Sequence, residues 1–178
     1  MRTKNFLKLA AMMFERHGTA KGLLSVTDVN GNTCYISPTS FYSSSGYPYS
    51  SNVSVTTNAT SVGISIGSGN TAATENDINL ESTITSGFTA TVMQNTYLDE
   101  DQNPCCELLL TITNTSGSTI VINEIGMKQN LYVAAAQYGT SMSTRVCLID
   151  RTVLDTPVMV QAGGIAVVKY TLKTEING

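Results

Sequence analysis

Arg145-Val-Cys-Leu-Ile-Asp-Arg-Thr-Val-Leu154, Asp155-Thr-Pro-Val-Met-Val-Gln-Ala-Gly-Gly164 and Ile165-Ala-Val-Val-Lys-Tyr-Thr-Leu172 follow one another without a break and decide the fold class. Ala166, Val168, Tyr170 and Leu172 fall on one side of an extended chain, with Lys169 and Thr171 on the other. That is the alternation of a half-buried strand. Two β-branched runs flank Ala162-Gly163-Gly164. Glycine accepts the positive φ of tight turns, so the expectation is an antiparallel hairpin that closes the fold. Pro157 has no backbone donor and is expected at a strand start or edge.

The same alternation recurs upstream. Residues 23–35 contain Asn30-Gly31, the strongest hairpin dipeptide in the chain, favoured for a type I′ turn. Val62, Ile64 and Ile66 share a face, as do Leu108, Leu110 and Ile112. Residues 84–93 and 107–113 read as two strands joined by an acidic, solvated tip at Asp99-Glu100-Asp101. Ile120 and Ile122 are in phase with Glu124, so this carboxylate risks burial and needs a cation; Arg151 is the candidate, as a structural ion pair. Eight to ten short strands with turns between them predict a mainly β protein, an antiparallel β-sandwich or jelly-roll-like domain.

The first eighteen residues differ. Phe6, Leu9 and Met13 recur at helical spacing, and Gly18 is a natural C-cap. Lys8 interrupts the apolar run and no A-x-A site follows, which favours a short amphipathic helix over a signal peptide. The expected organisation is a helix over residues 1–18 and a β-sandwich domain over residues 19–178. The helix packs on its own domain or docks on a neighbouring subunit, with Phe6, Leu9 and Met13 as the docking residues.

Composition bounds the function. Of 178 residues, 42% are hydrophobic and only 13% charged, while Ser, Thr and Asn together number 57. Hydroxyls and amides, more than charge, therefore solvate the surface, at about half the usual share of charged residues. A net charge of −3 offers no drive toward nucleic acid or anionic lipid, and no stretch approaches the ~20 apolar residues that span a bilayer. Cys34, Cys105, Cys106 and Cys147 lack zinc-ligand spacing and are expected as free, mostly buried thiols. Gly67-Ser-Gly69 lacks the lysine of a phosphate loop, because no Lys lies between Lys21 and Lys128. The single histidine, His17, has no catalytic partner pattern around it. No catalytic residue, metal ligand or cofactor is assigned.

Residues 38–51 form a Tyr/Ser-rich segment that reads as a surface loop, or as a contact surface built on Tyr42, Tyr47 and Tyr49.

Three further segments carry a resemblance: Gly67-Ser-Gly-Asn-Thr-Ala-Ala-Thr-Glu-Asn-Asp-Ile-Asn-Leu80, Asn123-Glu-Ile-Gly126, and Asp150-Arg-Thr-Val-Leu-Asp-Thr-Pro-Val158 with the closing glycines. Their order and spacing resemble small tailed-bacteriophage virion proteins over about residues 60–173. The resemblance implies a non-enzymatic head, neck or tail component assembled in the host bacterial cytoplasm. Its implied partners are capsid, portal, neck or tail subunits and further copies of itself, without nucleic acid or membrane. The alternative is a receptor- or glycan-binding adhesin using Tyr42, Tyr47 and Tyr49.

Overall fold

The computed structural model describes residues 1–6, 8, 24–36, 63–134 and 142–173. Among these residues eight strands follow in chain order: β1 (Leu24–Thr27), β2 (Thr33–Ile36), β3 (Gly63–Gly67), β4 (Phe88–Leu98), β5 (Pro104–Asn114), β6 (Ile120–Ala134), β7 (Met142–Val160) and β8 (Ile165–Lys173). All pairings are antiparallel. One sheet has the order β1-β2-β6-β3, with β7 on the other side of β6; the second has the order β4-β5-β8. The protein is a mainly β, sandwich-like fold, as the alternation predicts.

The core lies between the sheets because each sends one row inward. Ile64, Ile66, Ile120, Ile122, Met127, Ile149 and Val160 come from the five-stranded sheet, and Leu108, Leu110 and Ile112 from the three-stranded one. Phe88, Ala90, Val92, Ala166, Val168 and Tyr170 complete it from the flanks. A fully buried Ile or Leu contributes about 1.5–3 kcal/mol, so these rows hold the sandwich together. A smaller cluster of Val26, Cys34, Leu131, Val133 and Cys147 fixes the β1–β2 hairpin to the far ends of β6 and β7. Cys34, Cys105 and Cys147 are free and buried, and burial pushes the Cys147 thiol up to about 12.

The two expected hairpins are corrected first. β7 and β8 do not form a hairpin: β7 pairs with β6 and β8 with β5, so residues 161–164 carry the chain from one sheet to the other. A tight glycine turn fixes a reversal of direction but not which strand each arm bonds. Here Asn114, at the end of β5, holds the crossing. Its N–H donates to Gly164 O at 2.9 Å, its carbonyl accepts from Gly163 N at 2.9 Å, and its Nδ2 donates to Val160 O at 2.7 Å. The β1–β2 turn is also not type I′, which needs two positive φ angles; only Gly31 has one, at 84°. Instead Asp28 closes a longer loop, accepting from Asn30 N and Asn32 N at 3.0 and 2.8 Å.

The same loop closes β4–β5. Asp99 N donates to Asn103 O as Asp28 N does to Asn32 O, each at 3.0 Å, and Asp99 Oδ1 accepts from Asn103 N at 2.8 Å. Gln102 stands where Gly31 does and also has positive φ, 62°. Both strands run further toward the tip than the alternation suggested, leaving only residues 99–103 between them, while β4 begins at Phe88 and not at residue 84.

β6 and β7 are long and bent. Between the pairs Ile122↔Val158 and Glu124↔Val153, β6 has Asn123 alone while β7 has residues 154–157. Pro157 sits in this irregularity, where a missing donor breaks no ladder bond. The bulge also shifts phase: Ile120 and Ile122 face the core before it, Ile125 and Met127 after it. Glu124 is therefore carried to the opposite face of the sheet from the one expected.

The first residues are knitted into the five-stranded sheet. Arg2 bridges Asp150, Thr3 N donates to Ile149 O at 3.0 Å, and Arg151 N donates to Met1 O at 3.0 Å. Asn5 Nδ2 donates to Thr27 O at 2.8 Å and its Oδ1 accepts from Thr27 N at 3.0 Å, capping the edge of β1. Residues 4–6 and 8 are helical.

Candidate functional site

Residues 67–82, 123–126 and 150–153 meet at one place, on the outer face of the five-stranded sheet. β3 ends at Gly67, directly opposite Glu124 of β6, and Gly126 lies opposite Arg151 of β7. Paired residues of an antiparallel ladder point the same way, so Glu124 and Arg151 are diagonal neighbours on this face. Residues 68–82 then fold back over them. Ser68 N donates to Ser82 O at 2.8 Å, and Gly67 bridges Thr83, which closes this segment against the end of β3.

Glu124 is completely buried, and four groups bond its carboxylate. Oε1 accepts from Gly69 N at 3.1 Å and Ser82 N at 2.8 Å; Oε2 accepts from Glu81 N at 3.1 Å and Arg151 Nε at 2.7 Å. Arg151, 3% exposed, spends its other two nitrogens on the covering segment. Nη1 donates to Asp77 Oδ2 at 2.7 Å and Nη2 to Thr71 O at 3.1 Å, with Glu81 Oε2 at 3.6 Å. The expected Glu124–Arg151 pair is thus present, and it forms the centre of a larger network.

The covering segment is shaped for this purpose. Thr74 donates its N–H and hydroxyl to Asp77, at 2.9 and 2.8 Å, and Thr71 does the same for Glu81, at 2.8 and 2.7 Å. Gly67 and Gly69 leave room for the carboxylate. A Cβ on Gly67 would stand 2.4 Å from Glu124 Oε1, and one on Gly69 would stand 2.6 Å from the same atom. The Gly-x-Gly pattern that suggests a phosphate loop therefore accommodates an internal anion.

Electrostatics agree with the geometry. Burial raises the Asp77 pKa, but the Arg151 bond and the two Thr74 bonds outweigh it and hold the carboxyl below its ordinary 3.8. The Thr71 N–H and hydroxyl hold Glu81 below its ordinary 4.5. Burial alone would lower Arg151, yet its bonds to Asp77 and Glu124 raise it. Lys128, also buried, is lowered by desolvation, partly offset by the field of Glu124. A buried ion pair with every lone pair occupied anchors a loop, and removing one partner leaves an uncompensated charge. A shallow depression of about 430 Å³ lies alongside, lined by Asn70, Ala72, Ala73, Arg151, Thr152 and Asp155 among others. Arg151 reaches it with Nε, Nη1 and Nη2 already bonded to protein oxygens.

Of the expected contact residues, Phe6 is described. It is half-buried against the main core, with the Arg2 guanidinium 4.8 Å from its ring centroid. Leu9, Met13, Tyr42, Tyr47 and Tyr49 lie outside the described residues.

The sequence reading did not single out the outer face of the three-stranded sheet. Met93 is 70% exposed, Ile165 67% and Val167 62%, and Tyr97 is also exposed. The alternation that identified the inward rows also fixes these outward ones, so the signal was present. Comparisons with family models, with curated proteins and with solved structures find no match.

Proposed function

We propose that this protein is a non-enzymatic structural component of a tailed-bacteriophage virion, binding other virion subunits as a head decoration or head fibre, collar or tail accessory part. One observation carries the reading. The segments with virion-protein resemblance, separated by 40 residues or more of chain in places, converge on a single buried clamp around Glu124 and Arg151. In that clamp the conspicuous acidic and glycine residues hold a loop onto a sheet. A scaffold of this kind presents surface, and the surface here is rich in threonine and exposed apolar side chains with few charges. Such a surface suits contacts repeated by symmetry, where many weak unions add up.

The test is direct. Antibodies raised against the purified chain should decorate particles released from cells of the encoding organism after induction, and the chain should co-sediment with those particles at fixed stoichiometry. Recovery solely from the particle-free fraction would overturn the proposal.

A further inference from the structure

The two sheets treat their edges differently. In the five-stranded sheet, residues 82–84 bond the end of β3, Asn5 caps β1, and residues 1–3 line part of β7. β7 carries Asp155 and Pro157 where that cover ends, and β8 of the other sheet carries Lys169 and Lys173. Charges and proline are the usual guards of an open edge. β4 has none of these. Phe-Thr-Ala-Thr-Val-Met-Gln-Asn-Thr-Tyr-Leu, from Phe88 to Leu98, contains no charge, proline or glycine. Its register with β5 is unbroken over eleven pairs, so no bulge twists it away. Among the described residues, nothing pairs with its second side.

We infer that the open edge of β4 pairs antiparallel with β4 of a second copy, across a two-fold axis at Met93, joining two three-stranded sheets into one. The hydrogen-bonding phase supports this register. Asp99 N donates to Asn103 O and Thr115 N to Gly87 O, so the odd-numbered residues of β4 direct their backbone groups at β5. The backbone groups of Phe88, Ala90, Val92, Gln94, Thr96 and Leu98 therefore point outward from the edge. A two-fold at Met93 matches Phe88 with Leu98, Ala90 with Thr96 and Val92 with Gln94 of the other copy. All six outward-pointing residues are used, giving about twelve new bonds.

Side chains and charge select a second copy as the occupant. Met93 is the most exposed large hydrophobic among the described residues and lies at the midpoint of the strand. The axis sets it against itself in a non-hydrogen-bonded pair, where side chains approach most closely. Leu109, opposite Met93 on β5, extends that apolar row on each side. Because β4 is uncharged, the self-pairing meets no like-charge clash. The inference deepens the reading of this protein as one that works by contact, but its test uses the purified chain alone. It can fail while particle labelling succeeds, and the reverse.

Sedimentation of the full chain over a range of concentrations should show a monomer–dimer equilibrium. Met93→Lys, which places two ammonium groups against each other, should weaken it about tenfold or more. Met93→Cys should give a covalent dimer under mild copper–phenanthroline oxidation, above the parent background from native thiols, while Asn95→Cys, away from the axis, should not. A monomer at all concentrations would overturn the inference. So would a dimer indifferent to Met93→Lys, or equal cross-linking through Asn95→Cys. Strong hydrogen-exchange protection of Ala90, Val92, Gln94 and Thr96 in the dilute monomer would assign the edge to a segment of the same chain and also overturn it. If Met93→Lys fails to fold, cross-linking through Met93→Cys decides.

Discussion

Among the described residues the five-stranded sheet is covered on its outer face and the three-stranded sheet is not, and the contrast separates what the sequence spends on stability from what it leaves for contact. On the outer face of the first, a fifteen-residue segment over residues 68–82 is pinned by Glu124 and Arg151, and its edges are partly lined by residues 1–5 and 82–84. The outer face of the second presents Met93, Ile165 and Val167. Both sheets feed the same core, so the difference lies entirely in their outward rows.

The contrast breaks first at the clamp. Arg151→Met strands the Glu124 carboxylate in the sheet and should cost about 3–5 kcal/mol in denaturant unfolding. Replacing Glu124 and Arg151 together by Gln and Met should cost less than Arg151→Met alone, because no buried charge is orphaned. Gly67→Ala pushes a methyl into the same carboxylate and should cost about 1–3 kcal/mol.

Acid provides a milder break. Asp77 has a folded pKa below its ordinary 3.8, so near that value the unfolded chain binds more protons than the folded one. The stability it contributes is full above 3.8 and is lost as pH falls through the lower folded value. Thermal melts between about pH 5 and 2 should show a slope that becomes shallower in Asp77→Asn, by about 1 kcal/mol over the range. An unchanged slope would remove Asp77 from the clamp.

The twin turns sharpen the comparison at smaller scale. Asp28 and Asp99 close loops of the same hydrogen-bonding pattern, one per sheet, but the left-handed position holds glycine in the first and Gln102 in the second. Gln102→Gly should stabilise the protein by about 0.5 kcal/mol, and Gly31→Gln should cost about 1 kcal/mol. Least of all, Met93→Lys should leave the melting free energy of the monomer unchanged within about 0.5 kcal/mol, since the side chain touches no core.

Much of this was legible in the sequence for identifiable reasons. Period-two rows such as Leu108, Leu110 and Ile112 announce strands because burial on one side leaves the other free to be polar. Glu124 and Arg151 could be paired because a carboxylate held in a β-branched strand needs a cation, and arginines are few in this chain. The face on which they meet was not legible. The irregularity that sets residues 154–157 of β7 against Asn123 alone reverses the phase of β6, and neither composition nor alternation marks it. The closing hairpin was misread because Ala162-Gly163-Gly164 encodes a turn, while the ladders on either side depend on strands far away in sequence. The missing lysine excluded a phosphate loop at Gly67-Ser-Gly69, but not what the glycines make room for, because the Glu124 carboxylate they admit comes from a strand more than fifty residues away.

Asn114 has one more consequence. Asn114-Thr-Ser116 is an acceptor pattern for N-linked sugar, and the nitrogen that would receive it is the one that donates to Ser118 O and Val160 O, at 2.8 and 2.7 Å. The residue is 1% exposed, so the finished fold and a glycan at this position are mutually exclusive. Production through a eukaryotic secretory host should yield either chains unmodified at Asn114 or misassembled material, whereas a bacterial host avoids the conflict.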